Sequence, residues 1–431
     1  MDPISENKLP GEGSAATGEP DYKAICRVAL RVGEVMASHG AEAYRIEDTV
    51  VRILNTTGFA YAEAHVSATG LMLTLSDRSL DHEITLAKRI KSQGSDLSQI
   101  SLANDISRRF VAGKLTPAEA EEALDGLEGK KFYSELVRWI CFGLTSGCFA
   151  VMFGGSPLDA VVSFLIGLCT GIAAVLFTRV RITGFMWNFL CSTVLGLSFL
   201  LLFVTLSFGQ HAGPILSGAI MPLVPGMLLT VAIRDLLKGD YVSGMSRGIE
   251  ATLIALSIAA GMSIVLRLFE SAHGAFSLET PSRWLENSFF LWLLLQTICS
   301  FISSIGFVIL FDAEPRHLLP CGLVGAITWL TYCLVAEYLP SGLAIFAAAM
   351  AASLLSFLLA HKDKAPVTVF FTGGIFCLVP GAGIFQTMYY LVGREIAEGS
   401  EQLLSTLEAA GLIAIAMAIT SFLLMLGRKR Q

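Results

Sequence analysis

From Leu136 to its end the chain repeats one pattern, an apolar run of about twenty residues followed by a short polar loop. A run of that length crosses roughly 30 Å of hydrocarbon as a helix. Inside lipid a helix satisfies its own backbone, which an open strand cannot do. Ten spans are expected, at 136–153, 158–177, 184–207, 213–233, 249–269, 288–311, 317–336, 341–360, 367–391 and 404–426. Charge follows the same division. Residues 1–133 hold 35 charged side chains, 15 basic and 20 acidic, whereas the remaining 298 positions hold only 31. The whole chain is 15% charged, well under the ~25% usual for a soluble domain. A net charge of −6 argues against a nucleic-acid partner.

Lys and Arg fix the orientation. With a cytoplasmic N-terminus, the inner segments carry 14 of them and the outer segments only 3, namely Arg267, Arg283 and Arg394. An even number of spans then leaves both termini in the cytoplasm, with the chain multi-pass in the cytoplasmic (inner) membrane. No apolar run precedes Leu136, so no cleaved leader is expected.

Residues 1–21 are rich in Pro, Gly, Glu and Ser and are expected to be disordered. Residues 22–133 read as a cytoplasmic α+β domain. Helices are expected at Tyr22–Ser38, Ala41–Thr56, Asp96–Ala112 and Pro117–Leu127, and strands at Tyr61–Ser67, Leu71–Ser76 and His82–Ala87. Thr116, Pro117 and Glu119 make a capping-box start. Eight of the nine cysteines lie in the apolar part without a CxxC pair, and the histidines form no HExxH. They read as helix filler, with no disulfide, metal or other cofactor implied.

Leu223-Val224-Pro225-Gly226 recurs as Leu378-Val379-Pro380-Gly381, 155 residues later. Each copy sits inside an apolar span and is followed by a polar stretch with acids and then by a span with an early carboxylate, Glu250 or Glu408. An odd number of spans inverts when duplicated in tandem. The fold expected is therefore an all-α polytopic membrane protein with an N-terminal α+β soluble domain. Its five-plus-five inverted repeat occupies 134–270 and 285–428.

Proline removes a helix hydrogen bond and clashes with the preceding turn. Pro225, Gly226, Pro380 and Gly381 thus mark two broken helices whose freed backbone could meet a polar solute, or else two packing kinks. Gln386 and Tyr389 follow the second break by one to two turns and join the candidate substrate-binding set. Ionisable groups in or near the spans are candidates for ion coupling or gating. Glu250 is the first choice, with Arg234, Asp235, Asp240 and Glu408 beside it. Asp159 and Glu408, at membrane edges, could equally be solvated. Asn188, Gln296 and Tyr390 read as interhelical hydrogen-bonding groups. In the soluble part Arg45 and Glu47 lie two apart and so do not share a helical face; Arg45 could cap a helix, pair with a carboxylate or hold a ligand acid. No nucleophile–base pair, phosphate loop or metal cluster appears, so no enzyme is expected.

With these residues on the page, the chain resembles the threonine/serine exporter (ThrE) family. Three segments carry the resemblance: GAEAYRIE at 40–47; the stretch 94–124 with Gly94, Leu97, Asn104, Gly113, Leu115, Ala120 and Leu124; and MPLVPGMLLTVAIRDLLKGDYVSGMSR at 221–247. In the second half LVPG is kept, but Tyr389-Tyr390 stand where the first half has Arg234-Asp235. The resemblance implies a secondary active exporter of threonine and serine driven by the proton motive force, with lipid, protons and a small amino acid as its partners. It supplies no binding-residue list. Some members are split into two chains, and a split pair is linked to succinate export, so a dicarboxylate exporter is the alternative. A channel and a membrane-anchored sensor are further alternatives, and a homo-oligomer is compatible with all of them.

Overall fold

A helix starts where a side chain can close its free amides, and the soluble part follows that rule. In the computed structural model Asp21 Oδ1 accepts from Ala24 N at the head of α1 (Tyr22–Ser38). The next helix, α2 (Ala43–Leu54), begins two residues later than expected. Glu42 keeps an extended backbone there, and only its carbonyl joins the helix, accepting from Ile46 N at 3.1 Å. Three antiparallel strands follow in the order β1 (Tyr61–Ser67), β2 (Gly70–Ser76), β3 (Ile84–Arg89). Their register pairs Tyr61 with Ser76 and Leu75 with Ile84. Leu71, Leu73 and Leu75 alternate onto the face that α1 and α2 cover. Then come α3 (Leu97–Val111), capped by Asp96, and α4 (Pro117–Asp125), whose Thr116–Glu119 capping box is reciprocal.

The structure describes residues 21–67, 69–78, 83–90, 94–127, 129–273, 288–392 and 395–428. The expectations for 1–20, Ser79, His82, Arg283, Arg394, Lys429 and Arg430 lie outside them.

The apolar part is helical throughout: α5 (Glu135–Met152), α6 (Pro157–Arg179), α7 (Gly184–Phe199, extended by a π-turn to Thr205), α8 (Ala212–Ile220), α9 (Gly226–Leu237), α10 (Tyr241–His273), α11 (Phe289–Leu310), α12 (Leu318–Ala336), α13 (Ser341–Asp363), α14 (Val367–Ile375), α15 (Gly381–Val392) and α16 (Ile396–Arg428). Among the described residues eight helices are long and apolar enough to cross a membrane. The fourth and ninth expected spans are each two short helices, α8–α9 and α14–α15, separated at the two Leu-Val-Pro-Gly segments. Helices α10 and α16 start at Tyr241 and Ile396, eight residues ahead of the expected 249 and 404. Hydropathy marks where lipid begins, whereas their polar first turns are helical outside it. The elements α8, α9 and α10 each begin and end 155 residues before α14, α15 and α16.

Small residues let the helices touch backbone to backbone. A Cβ added at Gly218 of α8 would lie 2.6 Å from Ala150 N of α5, and one at Gly167 of α6 would lie 2.7 Å from Phe142 O. Phe149 of α5 meets Phe307 of α11 edge-on at 5.7 Å, joining the two halves. Gln296 bridges α5 and α12, donating to Val151 O at 3.2 Å and accepting from Trp329 Nε1 at 2.9 Å.

Asp159 is not solvated. Its side chain is fully buried at N3 of α6, where it accepts from Ser156 N at 2.9 Å, Gln210 N at 2.6 Å and His211 N at 3.1 Å, with His211 Nδ1 at 2.8 Å. It ties the loop before α8 to the start of α6, a structural duty. All nine cysteines are free.

The soluble part sits on one end of the helical bundle. Leu97 N donates to Phe311 O at 2.9 Å and Tyr133 Oη to Ala313 O at 2.7 Å, beside the 2.7 Å pair of Arg138 with Asp312 inside the bundle.

Candidate functional site

Each Leu-Val-Pro-Gly segment ends one half-helix and starts the next. Pro225 and Pro380 have no N–H, and their carbonyls accept from Leu229 N and Ile384 N at 3.1 Å as α9 and α15 begin. The two breaks abut in the middle of the bundle. A Cβ placed on Gly226 would run into Val379 Cγ1 and lie 3.6 Å from Gly381 Cα. One placed on Gly381 would lie 3.0 Å from Met221 Sδ and 3.5 Å from Val224 Cβ. Only glycine allows the two main chains so close.

A cavity lies on each side of this contact. The first, of 330 Å³, opens toward the soluble part and is walled by Pro225, Asn188, Arg247, Glu250 and Thr372. The loop residues Gly40 and Glu42 close it from above. On its wall Thr368 Oγ1 is buried with no hydrogen-bond partner among the described residues. The second cavity, of 290 Å³, lies toward the opposite end and is walled by Pro380, Gln386, Gln402 and Ser405.

Four charged groups seal the first cavity to the soluble part. Arg234 at the end of α9 is 2% exposed and Glu42 is 4% exposed, and Arg234 Nη1 donates to Glu42 Oε1 at 2.5 Å. Arg234 Nη2 reaches Asp235 Oδ1 at 3.2 Å, and Asp235 Oδ2 accepts from Arg247 Nη1 at 3.0 Å. Arg247 Nη2 then donates to Ala41 O at 3.0 Å, closing the circuit on the soluble part. Lys238 Nζ lies 3.8 Å from the Tyr44 ring centre, a cation–π contact at the same seam.

Burial alone would raise the Glu42 carboxyl, but Arg234 and Arg45 outweigh it and hold the group well below the usual carboxylate range. Burial, and then the Glu42 charge, push the Tyr44 phenol up to about 12. A carboxyl with a depressed folded value contributes stability above its unfolded value of ~4.3 and loses it as pH falls through the folded value. The Glu42–Arg234 pair is therefore expected to hold unchanged from about pH 8 to about pH 5. Hydrogen exchange over 40–47, corrected for intrinsic rates, checks this. Loss of protection near neutral pH would contradict it.

The expected site residues thus divide. Pro225 and Glu250 face the first cavity, Pro380 and Gln386 face the second, and Gly226 and Gly381 form the crossing between them. Arg234 and Asp235 belong to the seam. Asp240 caps α10, accepting from Ser243 N at 3.3 Å, and lines neither cavity. Tyr389 is buried in the apolar core, with its ring 5.9 Å from those of Phe385 and Tyr390. Glu408 is exposed on α16 beside Gly342 and lies outside both cavities. The 155-residue register sets Ser405, not Glu408, opposite Glu250. The expectation for Glu408 treated any carboxylate early in the apolar run as equivalent; both runs begin eight residues into their helices, but Glu250 is the second residue of its run and Glu408 the fifth, which sets them on different helix faces. Arg45 pairs electrostatically with Glu42 rather than Glu47, and Glu47 Oε1 accepts from Val66 N at 2.9 Å. Glu42, Gln402 and Ser405 escaped the sequence reading. Shifting Arg247 and Glu250 by 155 would have found the last two.

Comparison with known proteins agrees with this architecture. The ThrE family model, "Putative threonine/serine exporter", matches residues 27–269, and a second model, "Threonine/Serine exporter, ThrE", matches 296–423. A "Threonine/serine exporter" of Corynebacterium glutamicum is 21% identical over 94% of this chain and 83% of its own length. A "Probable threonine/serine exporter" of Mycobacterium tuberculosis is 23% identical over 92% and 74%. A "Probable succinate transporter subunit YjjP" of Escherichia coli is 21% identical over 57% of this chain and 95% of its own length. No solved structure matches. The chain is a multi-pass membrane transporter, not an enzyme, and it belongs to the threonine/serine exporter family.

Proposed function

We propose that this protein exports threonine, serine and similar small hydroxy amino acids across the cytoplasmic membrane in exchange for protons. The observation that carries the reading is the pair of cavities meeting at two touching Pro-Gly breaks. A path closed at one such contact, with a polar hollow at either end, is what a carrier needs to expose its solute to one side at a time. The common 155-residue offset of the last three elements in each half supports an inverted five-plus-five repeat of ten membrane segments, two of them broken. The soluble part and both termini then face the cytoplasm, in accord with the excess of inner Lys and Arg.

The first cavity is the loading site. Arg247 offers a guanidinium and the head of α9 offers free amides to a carboxylate. Glu250 meets the ammonium group or exchanges it for a proton. Thr368 and Thr372 are within the same wall for a side-chain hydroxyl. Proteoliposomes loaded with labelled threonine, serine or succinate test the reading by counterflow. Glu250→Gln is expected to lower threonine export at least ~10-fold, about 1.4 kcal/mol of barrier. It should also abolish the response to an imposed pH gradient. Full, gradient-dependent export by this variant would remove Glu250 from the mechanism.

A dicarboxylate exporter is the second reading, favoured by Arg247 on the cavity wall and by the likeness to YjjP. Glu250 in the same wall opposes a dianion. Counterflow of succinate without threonine would select this reading. Transport that survives deletion of 1–130 would locate the function in the helical part and dismiss a sensor that is merely anchored.

A further inference from the structure

We infer that the second cavity is a separate solute-binding station, repeat-related to the first, which holds the same zwitterion through neutral groups alone. The inference rests on the transport reading above and adds where the solute stops on its way out.

The two walls correspond residue by residue at the 155-residue offset. Val231, Arg247 and Glu250 line the first cavity, and Gln386, Gln402 and Ser405 line the second. The correspondence also runs in reverse. Ser217 of the first half reaches into the second cavity, and its counterpart Thr372 of the second half reaches into the first. Two packing voids of unrelated origin would not exchange residues in this way. The volumes agree too, at 330 and 290 Å³, near the lower end of small-molecule pockets at ~300 Å³.

The chemistry differs in a consistent sense. Where the first wall has a guanidinium the second has an amide, and where the first has a carboxylate the second has a hydroxyl. Gln386 replaces an apolar valine and restores hydrogen-bonding capacity. Hydrogen bonds to an ionised partner are roughly twice as strong as neutral ones. The second station therefore holds a zwitterion through weaker contacts, at lower affinity. This asymmetry supplies no driving force. It sets the external concentration at which the outer face saturates and keeps that concentration high, so exit continues as product accumulates outside.

The test uses oriented proteoliposomes loaded with labelled threonine, with unlabelled threonine titrated on the outside. The external half-saturation for exchange is read separately from the internal one. Gln402→Arg with Ser405→Glu gives the outer wall the inner pair, and a fall of at least ten-fold in the external constant is expected, with the internal constant unmoved. Gln386→Ala and Ser405→Ala are expected to raise the external constant about five-fold, and these small changes keep the test decisive should the charged double variant not fold. An external constant unchanged in both alanine variants overturns the second station while leaving export intact. Absence of threonine exchange in the unaltered protein would instead overturn the transport reading itself.

Discussion

Arg234→Ala is expected to release the soluble part from the helical bundle. Arg234 contacts both Glu42 and Asp235, and all three are buried. Removing it takes away the guanidinium that bridges two buried carboxylates, leaving Asp235 with Arg247 and Glu42 with the more distant charge of Arg45. Breaking a buried pair from one side costs ~3–5 kcal/mol, because the surviving charge stays desolvated. Glu42→Gln is the milder change, since Arg234 keeps Asp235 and no anion is orphaned. The double variant Glu42→Gln with Arg234→Met should therefore lose less than Arg234→Ala alone, a non-additivity that identifies a direct pair. Hydrogen exchange over 40–47 reads the effect. Protection there should fall on the order of 100-fold or more in Arg234→Ala. Unchanged protection would mean that the seam is held by its backbone contacts alone.

Gly226→Ala is expected to stop transport without unfolding the protein. The added methyl collides with Val379 Cγ1 at the point where the two breaks touch. Inserting one carbon into a packed contact costs about 1–3 kcal/mol. In the proposed mechanism that cost falls on the surface along which the two halves move. Export should drop at least ~10-fold, and Val379→Ala added to the same chain should restore most of it by vacating the space. Gly411→Ala is the control: nothing lies within 4 Å of its Cβ position in α16, so alanine there should stabilise the helix by ~0.5–1 kcal/mol and leave export alone. Failure of Val379→Ala to rescue would show that the loss at Gly226 is not a matter of this contact.

Much of the fold was legible because lipid imposes length. Every span expected from hydropathy has helix at its position, and the two spans flagged by Pro-Gly are the two that break. The capping box at Thr116 obeys short-range rules and holds in the folded chain, where Ser156 and Asp159 form a second one. Helix starts were less legible. Tyr241 and Ile396 open polar turns that no hydropathy threshold detects. Among site residues, the prolines, glycines, Glu250 and Gln386 could be picked out one by one, since each is anomalous for its span. Asp159 was equally anomalous, yet it serves as a clamp for the loop before α8.

The sequence by itself determined which segments are apolar helices, where two of them must break and how charge is divided between the first third of the chain and the rest. These follow from the transfer cost of side chains and from proline geometry, which are properties of a segment alone. Only the tertiary structure decided that Glu42 meets Arg234 across 192 positions, that the two breaks touch, and that Glu250 lines a cavity while Glu408 lies outside both. Such pairings depend on how helices rotate and pack, and that is fixed by close contacts between residues far apart in the chain.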